Sequence, residues 1–181
     1  EKLIKAIGGK PSLCVVDSTN MLNENTGKSE SLLREPISKI IKESKGRVIF
    51  TSFASNLGRL KIIAEAGEKS GRSIAVFGRA MNNMLRKELE TNIFTDFPTL
   101  IDSRKAHMVP RENLLVIATG SQGEIRAASA QLSRGKYMGL ELEDGDTFVF
   151  SSKTIPGNEI SVNRVINNLS EKGVVVKYSD D

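Results

Sequence analysis

The chain has few of the residues that build metal centres and disulfides. Among its 181 residues are one cysteine (Cys14), one histidine (His107) and no tryptophan. A single cysteine excludes an internal disulfide framework and a cysteine-rich zinc site. A single histidine excludes most zinc hydrolase centres within this chain, because such centres use two or three imidazole ligands. We expect Cys14 to be an inert core residue and His107 to be an exposed loop residue rather than a catalytic one.

Aromatic residues and long apolar runs are also scarce. The seven phenylalanines and two tyrosines argue against a platform of stacked bases, although an isolated stacking contact stays open. No stretch approaches the roughly 20 apolar residues of a membrane span, and the N-terminus lacks the apolar core of a signal peptide. We therefore expect a cytoplasmic protein without membrane attachment. The sequence does not begin with methionine, and we expect it to be a piece of a larger protein.

Length and charge set the broad class of the protein. A chain of 181 residues fits a single domain over residues 1–181, and it is long enough to bury a core without disulfides. Lysine and arginine number 26 against 22 aspartate and glutamate residues, which gives a formal net charge of +4. This balance permits a polyanionic partner without requiring one.

Six short apolar runs alternate with helical patterns. None of the runs alternates polar with apolar residues, which is typical of parallel strands covered on both faces. The runs are Cys14–Val16, Val48–Phe50, Ile74–Phe77, Leu114–Ala118, Phe148–Phe150 and Val174–Val176. Apolar stripes at helical spacing begin at Leu33, Leu57 and Val162, with Ser55 as the predicted N-cap of the second. This order predicts a doubly wound α/β fold, with a mostly parallel sheet and helices on both faces.

Polar loops follow the apolar runs, at the edge where parallel strands end. Ligands of such sheets bind at this carboxyl edge. The loops are Asp17–Asn20, Thr51–Asn56, Gly78–Ala80, Thr119–Glu124 and Ser151–Glu159. Hydroxyls and amides donate hydrogen bonds to phosphate oxygens, and glycine lets backbone N–H groups approach them. Each loop alone is typical of ordinary caps and turns, but five loops on one edge predict a cradle for a phosphodiester backbone.

Two charged residues at strand ends leave alternatives open. Asp17 directly follows a predicted strand. A carboxylate there acts as an acid, a base or a metal ligand, or it serves only as a local cap or Asx-turn. Arg79 also stands at a strand exit, where it is either an anion clamp or a solvated residue of a first helical turn. The residues alone do not decide between these readings.

Four of the loop strings resemble a known family in order and spacing. They are Val16–Asn20, Thr51–Asn56, Ala118–Glu124 and Ser151–Glu159. Together they resemble the ribonuclease J branch of the β-CASP metallo-β-lactamase nucleases, along nearly all of the chain. The turn Gly78–Met81 resembles a Gly-Arg-Ser-Met segment of that family, which strengthens the match. Glu124 is followed by Ile-Arg where many relatives have Pro-Met.

The resemblance implies a division of labour between two domains. This chain is similar to the β-CASP domain, which has a Rossmann-like fold and closes over a metallo-β-lactamase domain of the same protein. That second domain holds two zinc ions through an H-x-H-x-D-H motif, which this chain lacks. The implied substrate is single-stranded RNA, and the implied reaction is phosphodiester hydrolysis. We therefore expect the fragment alone to be inactive, and a homo-oligomer could form through segments outside it.

The resemblance also implies roles for particular residues. Asp17 matches an acidic motif whose carboxylate orients a histidine near the metal centre, a latent role here because that histidine is absent. Segments that face the RNA channel in the family match seven residues of this chain. These residues are Ser55, Asn56, Ser121, Gln122, Gly123, Gly157 and Asn158. The resemblance implies no metal ligand within the chain.

A second reading from a different functional class stays open. The same loops could belong to a free-standing α/β module that binds a nucleotide or a protein partner. The flanking sequence in the source gene discriminates between the two readings. An H-x-H-x-D-H motif upstream and a Ser-Gly-His segment downstream indicate the nuclease, whereas stop codons at both ends indicate the module.

Overall fold

The computed structural model describes residues 29–91 and 96–178, together with the isolated positions 5, 8, 13 and 15. Strands and α-helices alternate along the two described ranges. The strands are β1 (Val48–Thr51), β2 (Ser73–Phe77), β3 (Leu114–Ala118), β4 (Thr147–Phe150) and β5 (Val175–Lys177). The helices are α1 (Arg34–Glu43), α2 (Leu57–Lys69), α3 (Arg79–Glu90), α4 (Ala128–Arg134) and α5 (Glu159–Glu171). Cys14, Val16 and Asp17 lie outside the described residues, while Val15 between them is exposed and outside any strand, so the described residues give the first predicted strand no support.

The five strands form one parallel sheet in the order β2-β3-β1-β4-β5. In the centre of the sheet, Thr51 of β1 lies beside Ala118 of β3 and Phe150 of β4. The carboxyl ends of the three central strands are therefore level with one another. The loops that leave these strands all emerge at the same edge, as the sequence predicts for this class of fold.

Helices cover both faces of the sheet, which confirms the doubly wound prediction. One face packs against α1, α2 and α3, through side chains such as Ile41, Leu60 and Met81. The opposite face packs against α4 and α5, through Leu132 and Val165. Strands β1 to β4 are apolar on both sides because nearly all of their side chains point into one of these two cores, whereas the edge strand β5 is largely exposed. This explains why the strand sequences show no polar alternation.

The start of α2 differs from the prediction. We expected Ser55 to cap this helix, but the cap is Asn56, whose Oδ1 accepts a hydrogen bond from the backbone N–H of Arg59 at 3.1 Å. Asparagine reaches the free N–H groups of a first turn as well as serine does, so sequence preference alone does not separate adjacent candidates. Ser55 stands one residue before the cap and is exposed.

A buried cluster of charged residues lies at the amino edge of the sheet. The carboxylate of Asp146 is fully buried. It pairs with Arg47 at 3.2 Å and with Arg111 at 3.0 Å, and it accepts hydrogen bonds from the backbone N–H groups of Arg47 and Glu143. These partners satisfy both oxygens of a buried charge, which would otherwise be costly. The beginnings of β1, β3 and β4 are thereby tied together.

A second buried charge at this edge bonds only to backbone oxygens. Arg72 is 8% exposed, and its guanidinium donates to the carbonyls of Ser44 at 2.6 Å and Gly46 at 2.8 Å. Two longer bonds reach the carbonyls of Leu114 and Ile41. Burial lowers the pKa of Arg72, but the pKa of an arginine lies so high that the side chain stays charged. Arg72 therefore anchors the end of α1 to the sheet.

We expect Arg72→Met to lower the free energy of unfolding by about 2–4 kcal/mol, because it leaves several buried carbonyl oxygens without donors. Chemical denaturation of the two proteins measures the difference. The matched control is Arg104→Met, because Arg104 is exposed and its partner among the described residues is Asp102. We expect this control to lower the free energy of unfolding by about 0.5 kcal/mol or less. Equal losses in the two variants would contradict the anchoring role.

Candidate functional site

Three polar loops meet at the carboxyl edge of the sheet. They are loop A (residues 52–56, after β1), loop B (residues 119–127, after β3) and loop C (residues 151–158, after β4). Because β1, β3 and β4 are adjacent and end level with one another, these loops are neighbours. All seven residues that the resemblance implies for RNA contact lie on them. Asp17 lies outside the described residues, and its role stays a prediction.

The side chain of Gln122 joins loop B to loop C. Its Nε2 donates to the carbonyl of Lys153 at 3.0 Å. Its Oε1 accepts from the backbone N–H of Ile155 at 2.8 Å and from Nδ2 of Asn158 at 3.3 Å. The side chain is only 6% exposed, so these bonds form in a site shielded from water, where an unmade bond is costly. Gln122 therefore fixes the relative position of the two loops.

Two glycines let loop B approach its neighbouring helices. Gly123 has a φ of +73°, and a Cβ there would lie 2.7 Å from the backbone nitrogen of Val162 in α5. Gly120 has a φ of +107°, and a Cβ there would overlap Ser129 of α4, whose Oγ donates to the Gly120 carbonyl at 2.7 Å. Both positions need a positive φ and the absence of a side chain. These two glycines therefore allow loop B to pack closely against α4 and α5.

Exposure divides the seven predicted contact residues into two groups. Ser121 is 2% exposed, and Gln122 and Gly123 are buried beside it. Ser55 and Gly157 are exposed, while Asn56 and Asn158 are half-buried. The first group lies beneath the surface of the loops. In the second group, Ser55 and Gly157 face solvent and the two asparagines are partly accessible. RNA contact stays a prediction for all seven, and this placement favours the exposed group.

Arg59, a residue that sequence reasoning missed, ties the first turn of α2, directly after loop A, to loop C. Its Nη1 donates to the carbonyl of Ser151 at 2.5 Å and to its Oγ at 2.8 Å. Its Nε and Nη2 donate to the carboxylate of Glu30 at 2.6 and 3.0 Å, which also accepts from Asn56. The hydrogen bond from Arg59 holds the pKa of Glu30 below its usual value. Asn56 is thus both a helix cap and a member of this network.

Two buried hydroxyls at the same edge have no hydrogen-bond partner among the described residues. They are Oγ of Ser52, which directly follows β1, and Oγ of Ser152 in loop C. A buried polar atom without a partner is rare in a folded protein and destabilises it. Such atoms are typical of places where a ligand or another part of the protein completes the hydrogen bonding.

Exposed cations flank the three loops. Arg126 of loop B and Lys153 of loop C are exposed, and Arg79 is exposed in the first turn of α3, next to the end of β2. Exposed cations of this kind attract polyanions through long-range electrostatics. The exposed position of Arg79 is compatible with an anion clamp and with a solvated residue of the first helical turn.

Metal-ligand clusters and membrane-spanning helices are both lacking among the described residues. Within residues 29–91 and 96–178, no group of three or more His, Cys, Asp and Glu side chains is arranged to hold a metal ion. The ring of His107 packs against Gly139 instead. No α-helix in the described ranges has the length and apolar character needed to cross a membrane.

Comparison with known proteins decides the family. A family model for the beta-CASP domain of ribonuclease J matches residues 45–169. The chain belongs to the ribonuclease J β-CASP domain family. The matched range includes all three loops of this β-CASP domain and the whole five-stranded sheet apart from β5. The resemblance drawn from the loop strings is thereby confirmed.

Individual relatives cover almost the whole chain. It is 38% identical over 175 residues to ribonuclease J of Sinorhizobium meliloti and 42% identical over 173 residues to ribonuclease J 1 of Streptococcus pyogenes. It is 34% identical over 176 residues to ribonuclease J of Mycoplasma genitalium. These matches cover 94–97% of this chain but 31% of each relative. The chain thus spans about a third of the length of these ribonuclease J relatives.

We expect Gln122→Ala to lower the free energy of unfolding of this β-CASP domain by about 1–3 kcal/mol, because Ile155 N–H and the Lys153 carbonyl lose a buried partner. Hydrogen exchange at the amide of Ile155 should become faster, since this amide would no longer be bonded. Chemical denaturation and hydrogen exchange measured by NMR provide the two readouts.

The matched control for this prediction is Gln131→Ala. Gln131 lies on α4 and is half-buried, and we expect a change of about 0.5 kcal/mol or less. Unchanged exchange at Ile155 in the Gln122→Ala protein would show that Gln122 does not hold loop C in place.

Proposed function

We propose that this β-CASP domain forms one wall of an RNA-binding cleft in a ribonuclease J-type nuclease that hydrolyses phosphodiester bonds of single-stranded RNA. The observation that carries the proposal is the convergence of loops A, B and C at one sheet edge, in a chain of the ribonuclease J family. Buried bonds from Gln122 and Arg59 hold these loops together. A preorganised surface of this kind binds a flexible strand with a smaller entropy loss than mobile loops would.

The exposed groups on the loops suit a phosphodiester backbone. Gly157 has a φ of +98° and open space around its Cα, so a phosphate can approach the backbone there. The N–H of Gly157 donates to the carboxylate of Glu159 at 2.8 Å, so a phosphate at the start of α5, where a helix N-terminus favours anions, would displace that carboxylate. Ser55 supplies an exposed hydroxyl on loop A. Contacts of these kinds position a strand without reading its sequence.

The zinc chemistry is assigned to a part of the protein other than the described residues. We propose that a metallo-β-lactamase domain of the same protein would hold two zinc ions, which would supply an activated water for phosphodiester hydrolysis. The residues described here do not fit such a centre, so no step of zinc chemistry runs through them. Their part is to bind and orient the strand opposite that domain. Asp17, placed on sequence alone, is proposed to act at the boundary between the two domains.

The first test compares the complete protein with the isolated chain. We expect the complete protein to cleave labelled single-stranded RNA and to lose this activity with a chelator. Residues 1–181 alone should neither cleave RNA nor bind zinc stoichiometrically, because the chain has one histidine and one cysteine. Cleavage assays and metal analysis by mass spectrometry provide the readouts.

Each outcome of this comparison has a definite meaning. A complete protein that leaves RNA intact in the presence of zinc or manganese would contradict the nuclease function. Chelator-sensitive cleavage by the isolated chain would contradict the division of labour between the domains. Nanomolar binding of a nucleotide or protein by an isolated chain without cleavage would favour a free-standing module.

A second test concerns the cations beside the loops. If Arg126 contacts a phosphate, Arg126→Gln should reduce the steepness of log K against log salt concentration by about 0.7 for a single-stranded RNA. Fluorescence anisotropy of the complete protein at several salt concentrations measures this slope. The matched control is Arg104→Gln, in the turn that precedes β3, which should leave the slope unchanged. Equal slopes for all three proteins would exclude phosphate contact by Arg126.

A further inference from the structure

An opening lies at the carboxyl edge of the sheet, beside loop C. It is a cleft of about 320 Å³ between the end of β4, one flank of α5 and Tyr178, which follows β5; we call it the α5 cleft. Small-molecule sites begin at about 300 Å³, so the cleft has room for one small group. Phe150, Val162 and Ile166 give it an apolar floor.

The rim of the α5 cleft is polar but uncharged. Asn163 and Asn167 line it from α5, and their spacing of four residues places both side chains on one face of the helix. Thr154 and Ser152 line it from loop C, and Oγ of Ser152 is the buried hydroxyl without a partner among the described residues. Carboxamides and hydroxyls both donate and accept hydrogen bonds. No lysine, arginine, aspartate or glutamate belongs to the lining that the structure describes.

The composition of the cleft discriminates between parts of a nucleotide. A phosphate site needs cations or convergent backbone N–H groups, and the described lining contains no cation. A nucleobase needs an apolar slot, an aromatic face to stack on and neutral groups for its edge. Tyr178 is 57% exposed and gives the cleft its aromatic side. The cleft therefore suits a base rather than a phosphate.

We propose that the α5 cleft binds one unstacked nucleobase of the RNA strand. The base stacks on the ring of Tyr178, and its edge bonds to Asn163, Asn167 and the hydroxyl of Ser152. The proposal rests on the proposed function, because phosphate contacts along loops A, B and C bring the strand to this edge. It adds a base-dependent contribution to binding that is otherwise independent of the bases.

The experiment uses the complete protein and a fluorescent 2′-O-methyl oligouridylate, which is not cleaved. A matched set of oligonucleotides carries one abasic residue at successive positions. We expect one position at which the loss of the base weakens binding by about 5- to 100-fold, as for a stacked base. At that position Tyr178→Ala and Asn163→Ala should bind intact and abasic strands equally well. Tyr178→Phe, which keeps the ring, should retain most of the preference.

Ser152→Ala separates a role in binding from a role in folding. Removing a buried hydroxyl without a partner should leave the melting temperature unchanged or higher. The same change should reduce the preference for the intact strand if the hydroxyl bonds to the base. The matched control on α5 is Ser170→Ala, which is exposed and outside the cleft, and it should behave as the unaltered protein does.

The outcomes distinguish failure of the cleft from failure of the proposed function. If the unaltered protein binds RNA but shows no position that needs a base, the α5 cleft is not a base site and the proposed function stands. If the preference exists but survives Tyr178→Ala and Asn163→Ala, the base binds elsewhere and the proposal is overturned. If the unaltered protein binds no oligonucleotide, both the proposed function and the cleft are overturned.

Discussion

The side-chain amide of Gln122 lies between two loops that leave different strands, and the shape of the carboxyl edge depends on it. It donates to loop C and accepts from loop C, so loop B and loop C hold one relative position. Arg59, in the first turn of α2 and capped by Asn56 of loop A, bonds to the same loop C. With both links in place, exposed groups such as Ser55 and Gly157 stand on a rigid support, which is what recognition of a flexible strand requires.

The two edges of the sheet differ in how their buried polar groups are bonded. At the amino edge, the buried charges of Asp146 and Arg72 have bonding partners within the chain, although Nε of Arg47 has none among the described residues. At the carboxyl edge, the hydroxyls of Ser52 and Ser152 are buried without partners among the described residues. The first arrangement stabilises the fold. The second leaves bonding capacity at the edge where ligands of parallel sheets bind.

The sequence predicted the strands well because β1 to β4 are buried on both faces, while the edge strand β5, which is largely exposed, was found from its valine run. Five apolar runs fall within one residue of β1 to β5. Helix α4 escaped prediction because it is seven residues of mostly small side chains, too short for an apolar stripe. The convergence of the loops after β1, β3 and β4 was predicted, since loops after parallel strands share one edge. The division into buried and exposed residues was not, because the bonds from Gln122 to Lys153 and from Arg59 to Ser151 join residues more than 30 positions apart.

The absence of a side chain at Gly123 has a mechanical consequence. Backbone meets backbone where loop B rests on the first turn of α5, and no rotamer change can absorb a displacement at that point. A small shift of α5 must therefore be passed on to loop B, and through Gln122 to loop C. The position of α5 and the geometry of loops B and C are therefore mechanically coupled.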